Sequence, residues 1–167
     1  MTTTTFKIAS AALADISDIH SMIRGLAEYE KLLHLCVSTE ADLSEALFGA
    51  RPACEALIAR TDAEAAGFAL FFHNYSTFKG RPGLWLEDLY VRPEHRGRGC
   101  GEALLRTLAS LAAERRCGRF EWAVLDWNEP AIGFYQSLGA TVLPQWRIVR
   151  VDGDALEHLA RPPSIHD

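Results

Sequence analysis

The segment that most restricts the fold is Leu86-Glu87-Asp88-Leu89-Tyr90-Val91-Arg92-Pro93-Glu94-His95-Arg96-Gly97-Arg98-Gly99-Cys100-Gly101. An apolar, strand-like run enters a loop in which residues 97, 99 and 101 are glycine. Leu104, Leu105, Leu108, Leu111 and Ala112 then recur at helical spacing. Strand, glycine loop and helix in direct succession form one step of an α/β fold. Without a Cβ, the loop can turn successive backbone N–H groups toward one point. The start of the helix adds the positive end of its dipole. The result is a cradle for an anion of pyrophosphate type, and Arg96 and Arg98 bring positive charge to it. Two familiar cradles do not match. A P-loop needs Lys and then Ser/Thr after its last glycine, whereas Gly101 is followed by Glu102 and Ala103. The dinucleotide fingerprint spaces its glycines G-x-G-x-x-G, and here they run G-x-G-x-G.

The remainder of the chain supports one α/β domain over residues 1–167, with a core over about 6–160. Alternation predicts a short strand at 6–9, and helical spacing of Ile16, Ile19, Met22, Ile23, Leu26 and Tyr29 predicts a helix over 14–33. Ser38-Thr39-Glu40 opens a second helix that Gly49 and Pro52 end. Strands are expected at 55–60, 66–75 and 84–91, with 78–83 a loop by its Gly and Pro content. A helix over 101–116, a buried strand over 120–125, a short helix from Pro130 to Leu138, a last strand over 146–151 and a terminal helix over 152–159 complete the order. Two early helices followed by consecutive strands imply a mixed sheet.

Composition narrows the function classes. The 167 residues are 49% hydrophobic and carry 17 basic against 22 acidic side chains, a net charge of −5. That balance argues against bulk attraction to nucleic acid or an anionic membrane. The longest apolar runs, such as 67–72, are too short to span a bilayer. Residues 1–5 form a polar tail rather than a signal segment. Cys36, Cys54, Cys100 and Cys117 form no C-x-x-C pair and are read as free thiols in a reducing cytoplasm. No metal-binding motif is present in the sequence, and no metal is expected.

Leu89-Tyr90-Val91-Arg92-Pro93 followed by Arg96-Gly97-Arg98-Gly99-Cys100-Gly101 resembles the acetyl-CoA loop of the GNAT N-acetyltransferases. The resemblance extends over nearly the whole chain. Leu26-Ala27-Glu28-Tyr29-Glu30-Lys31-Leu32, Tyr75-Ser76-Thr77-Phe78-Lys79-Gly80-Arg81 and Ala123-Val124-Leu125-Asp126-Trp127-Asn128 are similar to the diamine acetyltransferase branch. Within it they sit nearest the thialysine N-epsilon-acetyltransferases. The resemblance implies a mixed sheet whose fourth and fifth strands splay apart, acetyl-CoA as co-substrate, a small primary amine as acceptor and a homodimer. It places Leu89, Tyr90 and Val91 along the pantetheine arm and gives Arg96, Gly97, Arg98, Gly99, Cys100, Gly101 and Glu102 to the pyrophosphate. It sets Asn128 and Ala131 further along the cofactor.

For chemistry, the resemblance makes Tyr135 the acid that protonates the departing thiolate. A phenol near pKa 10 still holds its proton at neutral pH, whereas a thiol near 8.5 is more acidic. Glu87 is the expected base, acting through water. An alkyl ammonium near pKa 10.4 costs roughly 4 to 5 kcal/mol to deprotonate at neutral pH, so the amine needs such help. Tyr29, Glu30, Glu87, Asp88, Glu121 and Trp122 are the expected substrate contacts. Adjacent on a strand, Glu87 and Asp88 should face opposite sides. Cys100 is read as a packing residue, His95 as an exposed loop residue and His73 as a strand residue. Polyamine-specific members carry an acid where Ser76 stands and a Glu pair before the last strand. Residues 143–146 hold no acid, which favours a short amine over spermidine or spermine. The alternatives are an acyl-CoA sensor, which would need neither Glu87 nor Tyr135, and a protein N-terminal acetyltransferase.

Overall fold

The computed structural model describes residues 5–162; most of the polar tail expected at 1–5 lies outside them. Five strands form one sheet: β1 Lys7–Ser10, β2 Glu55–Arg60, β3 Ala65–Ser76, β4 Arg81–Val91 and β5 Phe120–Trp122, in spatial order β1-β2-β3-β4-β5. The first four pair antiparallel, and β5 pairs parallel to β4. The helices are α1 Ile16–Tyr29, α2 Glu40–Phe48, α3 Cys100–Glu114, α4 Glu129–Ser137 and α5 Gly153–Leu159. The fold is therefore α/β with a mixed sheet, as the order of elements predicts. The chain forms two compact units that divide after Ala123. Among the described residues, no helix is long and apolar enough to cross a membrane.

In the first unit the sheet is covered on both faces. Ile16, Ile19 and Met22 of α1 and Leu43 and Leu47 of α2 pack with Ile58, Phe68, Leu70 and Tyr90 of the strands. On α3, Leu104, Leu105, Leu108 and Ala112 are buried, and the helix lies against β1 to β4. Complete burial of a leucine contributes about 1.5–3 kcal/mol, so this stripe fixes where the start of α3 sits. Thr39 caps α2 with a capping box. Its hydroxyl accepts the Asp42 N–H at 3.2 Å, and the Asp42 carboxylate accepts the Thr39 N–H at 2.8 Å.

Gly25 is a weak point for helix α1 by propensity, and the packing explains it. A Cβ there would lie 2.7 Å from the Tyr90 hydroxyl. The helix therefore needs glycine to pass over the β4 tyrosine.

The helix expected over 14–33 spans Ile16–Tyr29, and Lys31 just beyond it has a left-handed φ of +62°; the boundaries differ in three further places. First, β4 begins at Arg81, inside the expected 78–83 loop. Pro82 is tolerated because the Leu84 N–H donates to Arg119 O at 3.0 Å. Alternation turns the nitrogen two residues earlier the same way, so the missing donor removes no bond to β3. Second, β5 is only three residues long, not the six expected over 120–125. Third, 146–151, expected as a last strand, belongs to no sheet among the described residues. A strand is stable only beside a neighbour that takes its backbone hydrogen bonds.

Candidate active site

The fourth strand creates the site by outrunning the fifth. Pairing of β4 with β5 covers only Leu84↔Phe120, Trp85↔Glu121 and Leu86↔Trp122. From Glu87 to Val91, β4 keeps β3 on one side, and among the described residues no strand pairs with its other edge. This is the splaying that the sequence resemblance implies.

A bulge sets which groups line that edge. Leu70 pairs with Asp88 and Phe71 with Leu86, so Glu87 is the additional residue. Beyond the bulge, the Arg92 N–H donates to Ala66 O at 2.9 Å. Alternation back from that bond turns the main-chain groups of Tyr90 toward β3 and those of Leu89 and Val91 toward the open edge. The Val91 carbonyl accepts a bond from Arg96 Nε at 2.9 Å. Tyr90 is buried, its side chain beneath Gly25.

The loop after β4 has the conformation of an anion cradle. Gly97 has φ +69° and Gly99 φ +83°, both left-handed, and an added Cβ at either would stand in open space. Gly99 is the N-cap of α3, with no side-chain capping bond. The first N–H bonded within the helix is that of Ala103, to Gly99 O at 2.9 Å. The amides of Cys100, Gly101 and Glu102 precede it and make up the orphan first turn. The Cys100 side chain is 1% exposed, and burial pushes its thiol up to about 11. It is a packing residue, as expected. Glu102 reaches back along the helix to Arg106 at 2.8 Å, and Arg98 is exposed. The residues present fit a pyrophosphate held by backbone N–H groups.

His95, at the loop's entry, is buried rather than exposed as expected, because its Nε2 turns inward to lie 3.0 Å from a Glu64 carboxylate oxygen. With Glu94 they form a group whose ligand-type atoms lie within 4.8 Å of one another. The His95–Glu64 contact ties the β2–β3 turn to the cradle.

The acids gather beside the bulge. Asp88 is pushed up to about 6, first by burial and then by the charges of Glu87 and Glu30. Burial also raises Glu30, the C-cap residue of α1. Glu87 is exposed, and its carboxylate accepts the Trp85 indole N–H at 2.9 Å. Strict alternation would separate the two carboxylates across the sheet; the bulge breaks that alternation, and Asp88 feels the charge of Glu87. Tyr29, the last residue of α1, lies with its ring centroid 5.1 Å from the guanidinium carbon of Arg96. Glu30, Glu87 and Asp88 thus form one electrostatic cluster, and Tyr29 ends the helix that brings Glu30 to it.

On β5, Glu121 pairs with Arg119 at 2.7 Å, and Trp122 sits against Phe120 with ring centroids 4.9 Å apart. Ser76 is buried at the far end of the β3–β4 hairpin, where it pairs with Arg81 and accepts the Lys79 N–H at 3.3 Å. From Arg81 to Glu87 along β4 is roughly 20 Å at about 3.3 Å per residue. Ser76 therefore does not line the acidic cluster of its own chain, and the charge argument built on it does not apply there. Three contributors escaped the sequence reading. Trp85 was legible only as a same-face neighbour of Glu87. The stacking of Arg96 depends on long-range packing. Cys54 has its thiol raised by burial and then by Asp88, Glu55 and Glu87.

In the second unit, Asn128 is the N-cap of α4. Its side-chain oxygen accepts the Ala131 N–H at 3.4 Å, so two residues expected at the cofactor also bond to each other. Tyr135 lies on α4, half-buried, with its ring centroid 5.4 Å from that of Phe134.

Comparison with known proteins agrees with this frame. Residues 23–140 match the Acetyltransferase (GNAT) family, a match that runs across both units. The chain is 37% identical over 165 residues to a thialysine N-epsilon-acetyltransferase of Mus musculus, covering 92% of this chain and 96% of that one. It is 32% identical over 196 residues to an L-ornithine N5-acetyltransferase of Arabidopsis thaliana, covering 90% and 86%. Among solved structures, an integron cassette protein of V. cholerae superposes with TM-score 0.79 at 25% identity, covering 94% of this chain and 98% of that one. The chain belongs to the GNAT acetyltransferase family. It is an N-acetyltransferase, and enzymes of this family take their acetyl group from acetyl-CoA.

Proposed function

We propose that this enzyme acetylates the primary amine of a short diamine-like substrate, such as thialysine or a related amino acid, using acetyl-CoA. The observation that carries the reading is the cluster of Glu30, Glu87 and Asp88 where β4 parts from β5, with Asp88 raised to about 6. Acids held together at the cost of mutual repulsion are suited to receiving a cation. The names of the relatives support an amine acceptor of this size.

The amides at 97–102, with Arg98, would hold the pyrophosphate, and the open groups of Leu89 would meet the pantetheine arm. Acetyl-CoA supplies an activated thioester; the protein's task is to manage protons. An ammonium near 10.4 must lose one before its nitrogen can attack. An acceptor near 6 is better matched to it than one near 4, by about 1.4 kcal/mol per unit. Glu87, exposed and oriented by the Trp85 indole, relays the proton through water; Asp88 is the matched acceptor beside it. The Tyr135 hydroxyl carries the proton that the departing sulfur requires. This last role is what the sequence resemblance implies for Gly133-Phe134-Tyr135.

We read the protein as a cytoplasmic homodimer. Its four cysteines are free thiols, which suits a reducing compartment. Trp146, Ile148 and Val149 are 71%, 70% and 88% exposed on the unpaired segment. An apolar row of that kind suits burial against a second copy. The test of function is release of free thiol from acetyl-CoA with a panel holding thialysine, ornithine, short diamines, spermine and an N-terminal peptide. Release with the short amines is expected. Silence across all amines, or release with the peptide alone, would contradict the reading.

A further inference from the structure

We propose that Glu64, on the turn between β2 and β3, is a positioning residue for acetyl-CoA: through His95 it anchors the loop that forms the cradle. From residue 93 to residue 99, between β4 and α3, every residue is exposed except His95. The His95 Nε2–H donates to the Glu64 carboxylate at 3.0 Å. Among the described residues Nδ1 of the same ring, also buried, has no hydrogen-bond partner. The ring stands edge to face with Phe6, the centroids 6.2 Å apart and the planes at 85°. Two buried side chains thus bracket the exposed residues 96–99, His95 before them and Cys100 after them. Glu64 takes the polar bond of the first.

The turn that carries Glu64 is itself fixed. Thr61 Oγ1 accepts the Glu64 N–H at 3.1 Å, and the Thr61 N–H donates to Glu64 O at 2.9 Å. The next two carbonyls continue the seam. Ala65 O accepts Arg92 Nε at 2.9 Å, and Ala66 O accepts the Arg92 N–H at 2.9 Å. The turn therefore grips both ends of the segment from Arg92 to His95. Beyond His95 the chain is soft, because Gly97 and Gly99 carry no Cβ to restrict them. A loop held in its receptive shape before the ligand arrives avoids the ordering cost of binding. If release of His95 leaves that shape populated about one-tenth of the time, the apparent affinity falls about tenfold. Charge alone gives the opposite sign: acetyl-CoA is an anion, so removing a nearby carboxylate should tighten its binding. This inference rests on the reading of residues 97–102 as the acetyl-CoA cradle.

The test compares Glu64→Ala, Glu64→Gln and Glu94→Gln in the full chain. Glu64→Ala removes the acceptor for His95. Glu64→Gln removes the charge but keeps an oxygen that can accept the same bond. Glu94→Gln removes a neighbouring charge and leaves the His95–Glu64 bond in place. Calorimetry with acetyl-CoA should give a Kd raised about fivefold to tenfold in Glu64→Ala, the scale of one lost charge-assisted bond. Glu64→Gln and Glu94→Gln should stay within about twofold of wild type or bind more tightly. In turnover, Glu64→Ala should raise the KM for acetyl-CoA about fivefold with kcat nearly unchanged. The His95 N–H donates to Arg92 O at 2.9 Å and the Arg96 N–H to Pro93 O at 3.2 Å. Hydrogen exchange of these two amides in the ligand-free protein should be about fivefold faster in Glu64→Ala alone. Unchanged or tighter binding by Glu64→Ala would overturn the proposal. So would a loss that Glu64→Gln fails to recover or that Glu94→Gln shares. If wild-type protein binds no acetyl-CoA, the cradle reading fails, while exchange at residues 95 and 96 still decides whether Glu64 anchors the loop.

Discussion

Asp88 concentrates the energetic conflict of the site. Its carboxyl titrates at about 6 in the folded protein, against an ordinary value of 3.8. The folded state therefore binds the proton more tightly than the unfolded chain. That contribution to stability is complete below about 4 and is lost as pH rises through 6. At pH 7.5 the charge is a burden of about 1–3 kcal/mol. Asp88→Asn should accordingly raise the melting temperature at pH 7.5 and much less at pH 4, while lowering kcat/KM for the amine. Wild-type kcat/KM should climb with pH through about 6, and the variant should lose that limb. A variant that is less stable at pH 7.5 would show that Asp88 has a stabilising partner. Tyr135→Phe keeps the ring and deletes one hydroxyl. We expect kcat to drop roughly 10²-fold with acetyl-CoA affinity unchanged, and steady-state kinetics beside calorimetry separates the two. Gly99→Val places a branched side chain at φ +83° over the cradle. Weaker acetyl-CoA binding, by about tenfold or more, is the expected calorimetric result.

At the scale of elements, Gly25 gives a prediction of unusual sign. Gly→Ala in a helix interior normally stabilises by about 1 kcal/mol. On α1 the new Cβ would meet the Tyr90 hydroxyl at 2.7 Å. Gly25→Ala should instead destabilise by about 1–3 kcal/mol, measured by denaturant unfolding. Tyr90→Phe in the same chain should recover part of that loss, since it removes the atom the methyl group meets. The same elements show what the sequence can and cannot reveal. The cradle was legible because Gly97 and Gly99 encode a left-handed backbone directly. So was the amphipathic face of α3. The bulge at Glu87 was not, because it depends on how β3 and β4 count residues against each other, and no local pattern carries that. The raised Asp88 follows from the bulge and from the end of α1 meeting there, which is a tertiary fact. The segment 146–151 is rich in the β-branched and aromatic residues of a strand, but composition does not name a neighbour. Ser76 misled for a related reason: the motif around it is informative, yet its place at the hairpin's far end lies roughly 20 Å from the acids by strand rise.

At the scale of the whole molecule, the proposed homodimer makes a prediction about mass. Light scattering of the purified protein should give twice the chain mass, and Trp146→Glu should shift it toward the monomer; a monomeric wild type would remove the homodimer from the account. The substrate claim depends on where the acids lie. The charges of Glu30 and Glu87 both act on Asp88, which suits one short cation more than an extended polycation. Each absent charge-assisted partner forfeits ~1.5–3 kcal/mol if buried and less if exposed. An amine of lower pKa, as in thialysine, also releases its proton more easily, by ~1.4 kcal/mol per unit. The most direct test is kcat/KM for thialysine against spermine, at one pH, low ionic strength and saturating acetyl-CoA. The account predicts that thialysine is favoured by about tenfold or more, the equivalent of one such contact. A clear preference for spermine would contradict it.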